Sequence, residues 1–178
     1  MSLEPAVLHT ERLLLRPLRQ EDAGDLFELL RDEEVAFFVR RGPVIRAEIQ
    51  EAVREHLRNP WEAHPTFVVV LEERVVGEVT LEIEPRDLTA NLGYAIAREH
   101  WGKGLATEAA RTVVDYGFRV CGLAKVHARA DPRNVGSVRV LEKLGMRREG
   151  LLRSHVLRRG ERADRVLYGL LREEWRAP

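Results

Sequence analysis

The chain has 178 residues, 44% of them hydrophobic and 33% charged, with 29 Lys and Arg balancing 29 Asp and Glu for a net charge of zero. That is enough apolar material for one folded domain, residues 1–178, and too much for a disordered chain. The balance excludes an overall basic signature of nucleic-acid binding, no apolar run reaches the ~20 residues of a membrane span, and the single cysteine, Cys121, cannot form an internal disulfide, which points to a reducing, cytoplasmic setting.

The N-terminus has no basic start followed by an apolar stretch, so it does not read as a signal peptide. RLLLRPL, residues 12–18, predicts a first strand stopped by Pro17. Leu26, Phe27, Leu29 and Leu30 then recur at helical spacing behind an acidic start, where the helix dipole favours negative charge. A short second helix ends at Gly42-Pro43, and a third carries Ile45, Ile49, Val53 and Leu57 on one face before Asn59-Pro60 stops it.

The pattern then turns to strands. Residues 65–73 and 74–84 predict a hairpin, and Val79, Leu81 and Ile83 alternate with Glu78, Thr80, Glu82 and Glu84, giving one dry and one wet face. A strand over 89–97 leads into a long helix ending at Gly122. A strand over 124–132 and a helix capped by Asn134 follow, the helix with Val135, Val138, Leu141 and Leu144 along one side. Two alternating runs turning at Arg159-Gly160-Glu161 close the chain. The order predicts an α/β fold with a mixed, mostly antiparallel sheet flanked by helices, containing one strand–helix–strand unit.

That unit holds REHWGKGLATEA, residues 98–109. Glycines between a strand and a helix start let backbone come close to a ligand, and the first N–H groups of a helix have no partner inside it. Together with the dipole they suit a phosphate. The nucleotide P-loop pattern is not met: Ala97 stands where its first glycine belongs and Gly104 follows Lys103. A dinucleotide loop would read Gly102-x-Gly104-x-x and use Asp131 on the next strand, but it needs several strand–helix–strand units. A purely structural turn stays open.

The segments TERLLLRPL, NLGYAI, WGKGLATEA, NVGSVRVLEKLGM and DRVLYGLLREEW, in this order, resemble the GNAT superfamily of N-acetyltransferases over nearly the full length, and most closely its RimJ/RimL-type branch. Departures are Glu99, where the loop signature has Arg or Gln, and Trp101 for a common Arg. The resemblance implies transfer of an acetyl group from acetyl-CoA to a primary amine, a protein N-terminus or a small amine, with no metal and no nucleic-acid or membrane partner. It also implies a homodimer. The strand edge Tyr94, Ile96 and Ala97 would take the pantetheine arm, and Trp101, Gly102, Lys103, Gly104, Leu105, Ala106 and Thr107 the diphosphate. Asn134 would hold the arm, while Arg139 and Lys143 could meet the nucleotide phosphate or simply face solvent.

The family's acidic tyrosine, seven positions after that Asn, is Leu141 here, so Ser137 is the implied hydrogen-bond donor to the leaving sulfur. The branch's glutamate base aligns with Val156, beside His155. That leaves Glu78 and Glu82 on the wet strand face as candidate bases, with His127 and Tyr168 as further candidates. By the same resemblance, Phe37, Phe38, Arg40 and Arg41 would fall in the region that shapes the acceptor groove. Two rivals stand beside this reading: a non-catalytic acyl-CoA-binding module and a nicotinamide-nucleotide oxidoreductase.

Overall fold

The structure, a computed structural model, describes residues 3–39 and 44–177. Eight strands form one sheet in the order β1-β2-β3-β4-β5-β6-β8-β7: β1 Leu8–His9, β2 Leu14–Pro17, β3 Thr66–Leu71, β4 Arg74–Glu84, β5 Thr89–Ile96, β6 Lys125–Ala130, β7 Arg147–Arg158 and β8 Glu161–Leu171. Every pairing is antiparallel except β5 with β6. That one parallel pair needs a crossover, supplied by helix α4, Leu105–Arg119. The first strand is shorter than residues 12–18 predict, and β1 precedes it.

Helices cover both faces. α4 and α5, Val135–Lys143, lie on one side over Val79, Leu81, Ala90, Leu92 and Ile96. On the other side α1 Ala23–Leu30, α2 Glu33–Val39 and α3 Arg46–Arg58 cover Val68 and Ala95. The alternation along β4 is the cause: Val79 and Leu81 are fully buried under α4 while Glu78, Thr80 and Glu82 face the opposite way.

Asp22 fixes the entry to α1. Its buried carboxylate accepts both Arg16 guanidinium nitrogens, at 2.8 and 2.6 Å, and the Arg19 N–H at 2.8 Å. Asp32 starts α2 by accepting the N–H groups of Glu34 and Val35. Two apolar stripes are narrower than their sequence pattern. On α3 only Ile49 and Val53 are buried; Ile45 sits at the extended N-cap position and Leu57 in the last turn, and both are exposed. On α5, Leu141 is buried but Val135, in the first turn, is 53% exposed and borders a cleft. Arg159 and Gly160, both at positive φ, make the tight β7–β8 turn where it was expected.

Candidate active site

β5 is paired with β4 along its full length, Thr89 to Ile96, but with β6 only at Thr89–Asn91. Beyond Asn91 and His127 the two strands part, and one edge of β5 is open. Antiparallel pairing directs the backbone groups of successive residues to alternate sides. The Ala97 N–H donates to the Val76 carbonyl of β4 at 2.8 Å, so Ala97 is committed and Tyr94 and Ile96 direct their groups into the gap. This corrects the expectation for Ala97, which does not line the cleft. The Trp101 indole N–H donates to the Ile96 carbonyl at 2.7 Å, folding the loop back against the strand end.

The gap opens into a cleft of about 500 Å³. Its far end is the N-terminus of α4. Gly102 and Gly104 have φ of 75° and 81°, left-handed values that cost other residues roughly 1–2 kcal/mol. Gly104 is the N-cap and has no side chain to cap with; the first intrahelical bond seen there is Glu108 N–H to the Gly104 carbonyl. The N–H groups of Leu105, Ala106 and Thr107 thus lack helical partners and lie on the cleft lining with Gly102, Gly104 and Trp101.

The loop is anchored from behind by residues that the sequence reading missed. The Arg12 guanidinium donates to the Lys103 carbonyl at 3.0 Å and ion-pairs with Glu108 at 2.6 Å, while the Thr10 hydroxyl donates to Glu108 at 2.5 Å. Burial opposes the charge on Glu108, but the Thr10 and Arg12 hydrogen bonds hold its carboxyl below the usual range. The signal was there, TER beside a strand, but its partners lie more than ninety positions away. Lys103 itself is exposed and off the lining, so its expected contribution to the cradle is limited to that backbone carbonyl. The cations on the lining are Arg133, Arg139 and Lys143, and no carboxylate lines the cleft among the described residues. A helix N-terminus with free amides, flanked by Arg139 and Lys143 and with no carboxylate on the lining among the described residues, fits an anionic, elongated ligand.

The side wall is α5. Asn134 caps it, its Oδ1 accepting the Ser137 N–H at 2.9 Å, which leaves the side-chain NH₂ as a donor at the lining. Ser137 Oγ lies 2.9 Å from the hydroxyl of Tyr94, which also donates to the Ser137 carbonyl at 3.1 Å. Burial pushes the Tyr94 phenol up to about 12. Leu141 is 1% exposed in the core and is not on the cleft lining. Asp131 is buried and held bidentately by Arg133, whose hydrogen bond draws its carboxyl down; it is not free to meet a ribose as the dinucleotide reading requires.

Glu78 and Glu82 are not in the cleft. Both stand on the sheet face opposite Tyr94. Glu78 is partly buried between Val68 and Ala95, burial pushes its carboxyl up, and Ala95 beside it does line the cleft. Glu82 is exposed and accepts from Asn91 Nδ2 at 3.4 Å. His127, the last β6 residue paired with β5, is neighbour to Asn91; burial, Arg129 and Lys125 push its imidazole down, toward the neutral form. Tyr168 packs in the core and donates to Glu142 at 3.3 Å, away from the cleft. His155 is exposed and Val156 buried.

At the cleft's other mouth, Phe38 of α2 lines the wall. Phe37 packs edge-on against it at 4.9 Å and lies 5.4 Å from the Arg133 guanidinium and 5.7 Å from that of Arg159. The buried Arg158 guanidinium donates to the carbonyls of Phe37 and Phe38, tying the closing hairpin to the end of α2. Arg40 and Arg41 lie outside the described residues.

A family model described as an acetyltransferase (GNAT) domain matches residues 12–147. The chain is 33% identical to the uncharacterized N-acetyltransferase p20 of Bacillus licheniformis over 173 residues, 94% of this chain and 97% of that one. Spermidine N-acetyltransferase from Vibrio cholerae, solved with CoA and spermine, superposes with a TM-score of 0.83 at 26% identity, covering 93% of this chain and 98% of that one. RimJ from Mycobacterium smegmatis, solved with a CoA disulfide, gives 0.80 at 25%, covering 96% of this chain and 88% of that one.

Proposed function

Because the chain belongs to the GNAT acetyltransferase family, we propose that this acetyl-CoA-dependent N-acetyltransferase acts on a primary amine, the α-amine of a protein N-terminus, in the manner of the RimJ/RimL branch. The observation that carries the choice of acceptor is the lack of a carboxylate on the cleft lining among the described residues. A protonated amine is no nucleophile. An α-amine, with a pKa of about 7.7–8.0, is deprotonated in about a tenth of molecules at neutral pH, while a lysine-like amine near ~10.4 is almost wholly charged. A site short of base therefore suits the α-amine. The Arg159 guanidinium, 5.7 Å from the Phe37 ring, also disfavours a polycationic acceptor.

In this reading the amides of Leu105, Ala106 and Thr107 bind the diphosphate, aided by Arg139 and Lys143. Tyr94 and Ile96 take the pantetheine arm as an added strand, and Asn134 donates to it. The amine nitrogen attacks the acetyl carbon, the C–S bond breaks with its electron pair going to sulfur, and Ser137 donates a hydrogen bond to that sulfur. Holding both reactants in line supplies several kcal/mol by itself. The residual proton leaves by way of water, because the candidate bases Glu78 and Glu82 stand on the sheet face opposite Tyr94, off the cleft lining. The branch's homodimeric state belongs to the same reading, and sedimentation checks it.

The test is CoA thiol release from acetyl-CoA with three acceptors: a peptide with a free N-terminus, the same peptide N-terminally blocked but carrying lysine, and spermidine. The account expects turnover of the free peptide, with kcat/KM rising as pH passes the α-amine pKa. Turnover of spermidine alone would move the enzyme to the polyamine class. Tight CoA binding with no release on any acceptor would favour the non-catalytic module.

A further inference from the structure

We propose that Tyr94 is a positioning residue for the leaving group: its phenol holds the Ser137 hydroxyl as donor to the thioester sulfur. This rests on the acetyl-CoA reading above. Among the described residues, three hydroxyl side chains line the cleft, those of Tyr94, Thr107 and Ser137. Thr107 belongs to the helix start. Tyr94 and Ser137 come from opposite walls, β5 and α5, and meet across the gap at 2.9 Å.

The contacts allow two hydrogen arrangements without moving a heavy atom. In one, the Tyr94 hydrogen goes to the Ser137 carbonyl, 3.1 Å away, and the Ser137 hydrogen to the Tyr94 oxygen. In the other, the Tyr94 hydrogen turns to Ser137 Oγ, and the Ser137 hydrogen is released toward the cleft. A carbonyl can only accept and a hydroxyl can do both, so no group is stranded in either arrangement except that the carbonyl gives up this one donor. Growing negative charge on sulfur favours the second arrangement. Burial keeps the phenol protonated through the working pH range, so it remains a donor. The balance is simple. The nitrogen–carbon bond forms, the carbon–sulfur pair goes to sulfur, the amine proton leaves to water, and the thiolate takes a proton from solvent on release. Neither hydroxyl needs to ionise.

The experiment reads the sulfur directly and needs no acceptor. The thiol pKa of CoA bound to the enzyme is measured from thiolate ultraviolet absorbance against pH, in the wild type, Tyr94→Phe, Ser137→Ala and the double variant. The wild-type complex should hold the thiol below the value that free CoA shows in the same titration. Each single variant should raise it by about one unit, a tenfold loss of thiolate stabilisation, and the double variant should raise it no further. In turnover, Tyr94→Phe should lower kcat about tenfold and leave KM for acetyl-CoA unchanged, with Tm showing that the fold is kept. An unshifted thiol in Tyr94→Phe, or shifts that add in the double variant, would overturn the proposal. Failure of the wild type to bind CoA would instead sink the reading beneath it.

Discussion

The two ends of the cleft are built in different ways. The α4 end is backbone: unpaired amides, two glycines at positive φ, and a fold-back held by Trp101, all braced from outside by Arg12. The α2 end is side chain: aromatic Phe37 and Phe38, guanidiniums of Arg133, Arg158 and Arg159, and no acid on the lining among the described residues. A backbone cradle depends on φ and can be read as glycines in a short stretch. A side-chain mouth depends on which distant elements meet, and its chemistry changes with single substitutions. The first end suits a ligand shared by a whole family, the second an acceptor that differs among its members.

The sharpest break of that contrast is Gly104→Val. The left-handed φ and the loss of close approach should weaken CoA binding by calorimetry on the order of 100-fold, since hydrogen bonds to a charged group are worth about 1.5–3 kcal/mol each. The fold should persist, because the nearest atom to an added Cβ is the flexible Arg12 guanidinium at 3.6 Å. Next is Arg12→Ala, which frees the Lys103 carbonyl and leaves Glu108 without its ion pair. CoA affinity should fall about tenfold, with partial rescue in Arg12→Lys, because one ammonium cannot serve both partners in the guanidinium's geometry.

Glu78→Gln works on the other face. Burial raises this carboxyl above its ordinary value of 4.5 in the folded chain, so the unfolded chain ionises first as pH rises. Native stability then falls with pH from about 4.5 up through the raised value, and that loss is complete above it. The glutamine variant should therefore melt higher than wild type at pH 7 and equally near pH 4, while kcat and CoA affinity stay put. Equal melting at both pH values would remove the carboxyl from this account. The smallest effect is expected of Trp101→Phe, which loses the bond to the Ile96 carbonyl at a cost of about 1 kcal/mol and a few-fold rise in KM for acetyl-CoA.

The glycine loop, the single crossover and the closing hairpin turn were legible because their residues are neighbours in the chain and their conformational needs are local. The Arg12 brace and the Tyr94–Ser137 contact were not, since each joins elements far apart in sequence. Periodicity named the apolar faces of α3 and α5 but not how far their neighbours reach, so Ile45, Leu57 and Val135 share those faces and still stand exposed. Glu82 was legible as wet, yet only the strand pairing shows that it faces away from Tyr94.

The most direct test is a crystal structure of the CoA complex. The account predicts diphosphate oxygens about 3 Å from the amide nitrogens of residues 104–107, with the pantetheine amides bonded to Tyr94 and Ile96. A diphosphate bound elsewhere, with the open edge of β5 left to water, would contradict it.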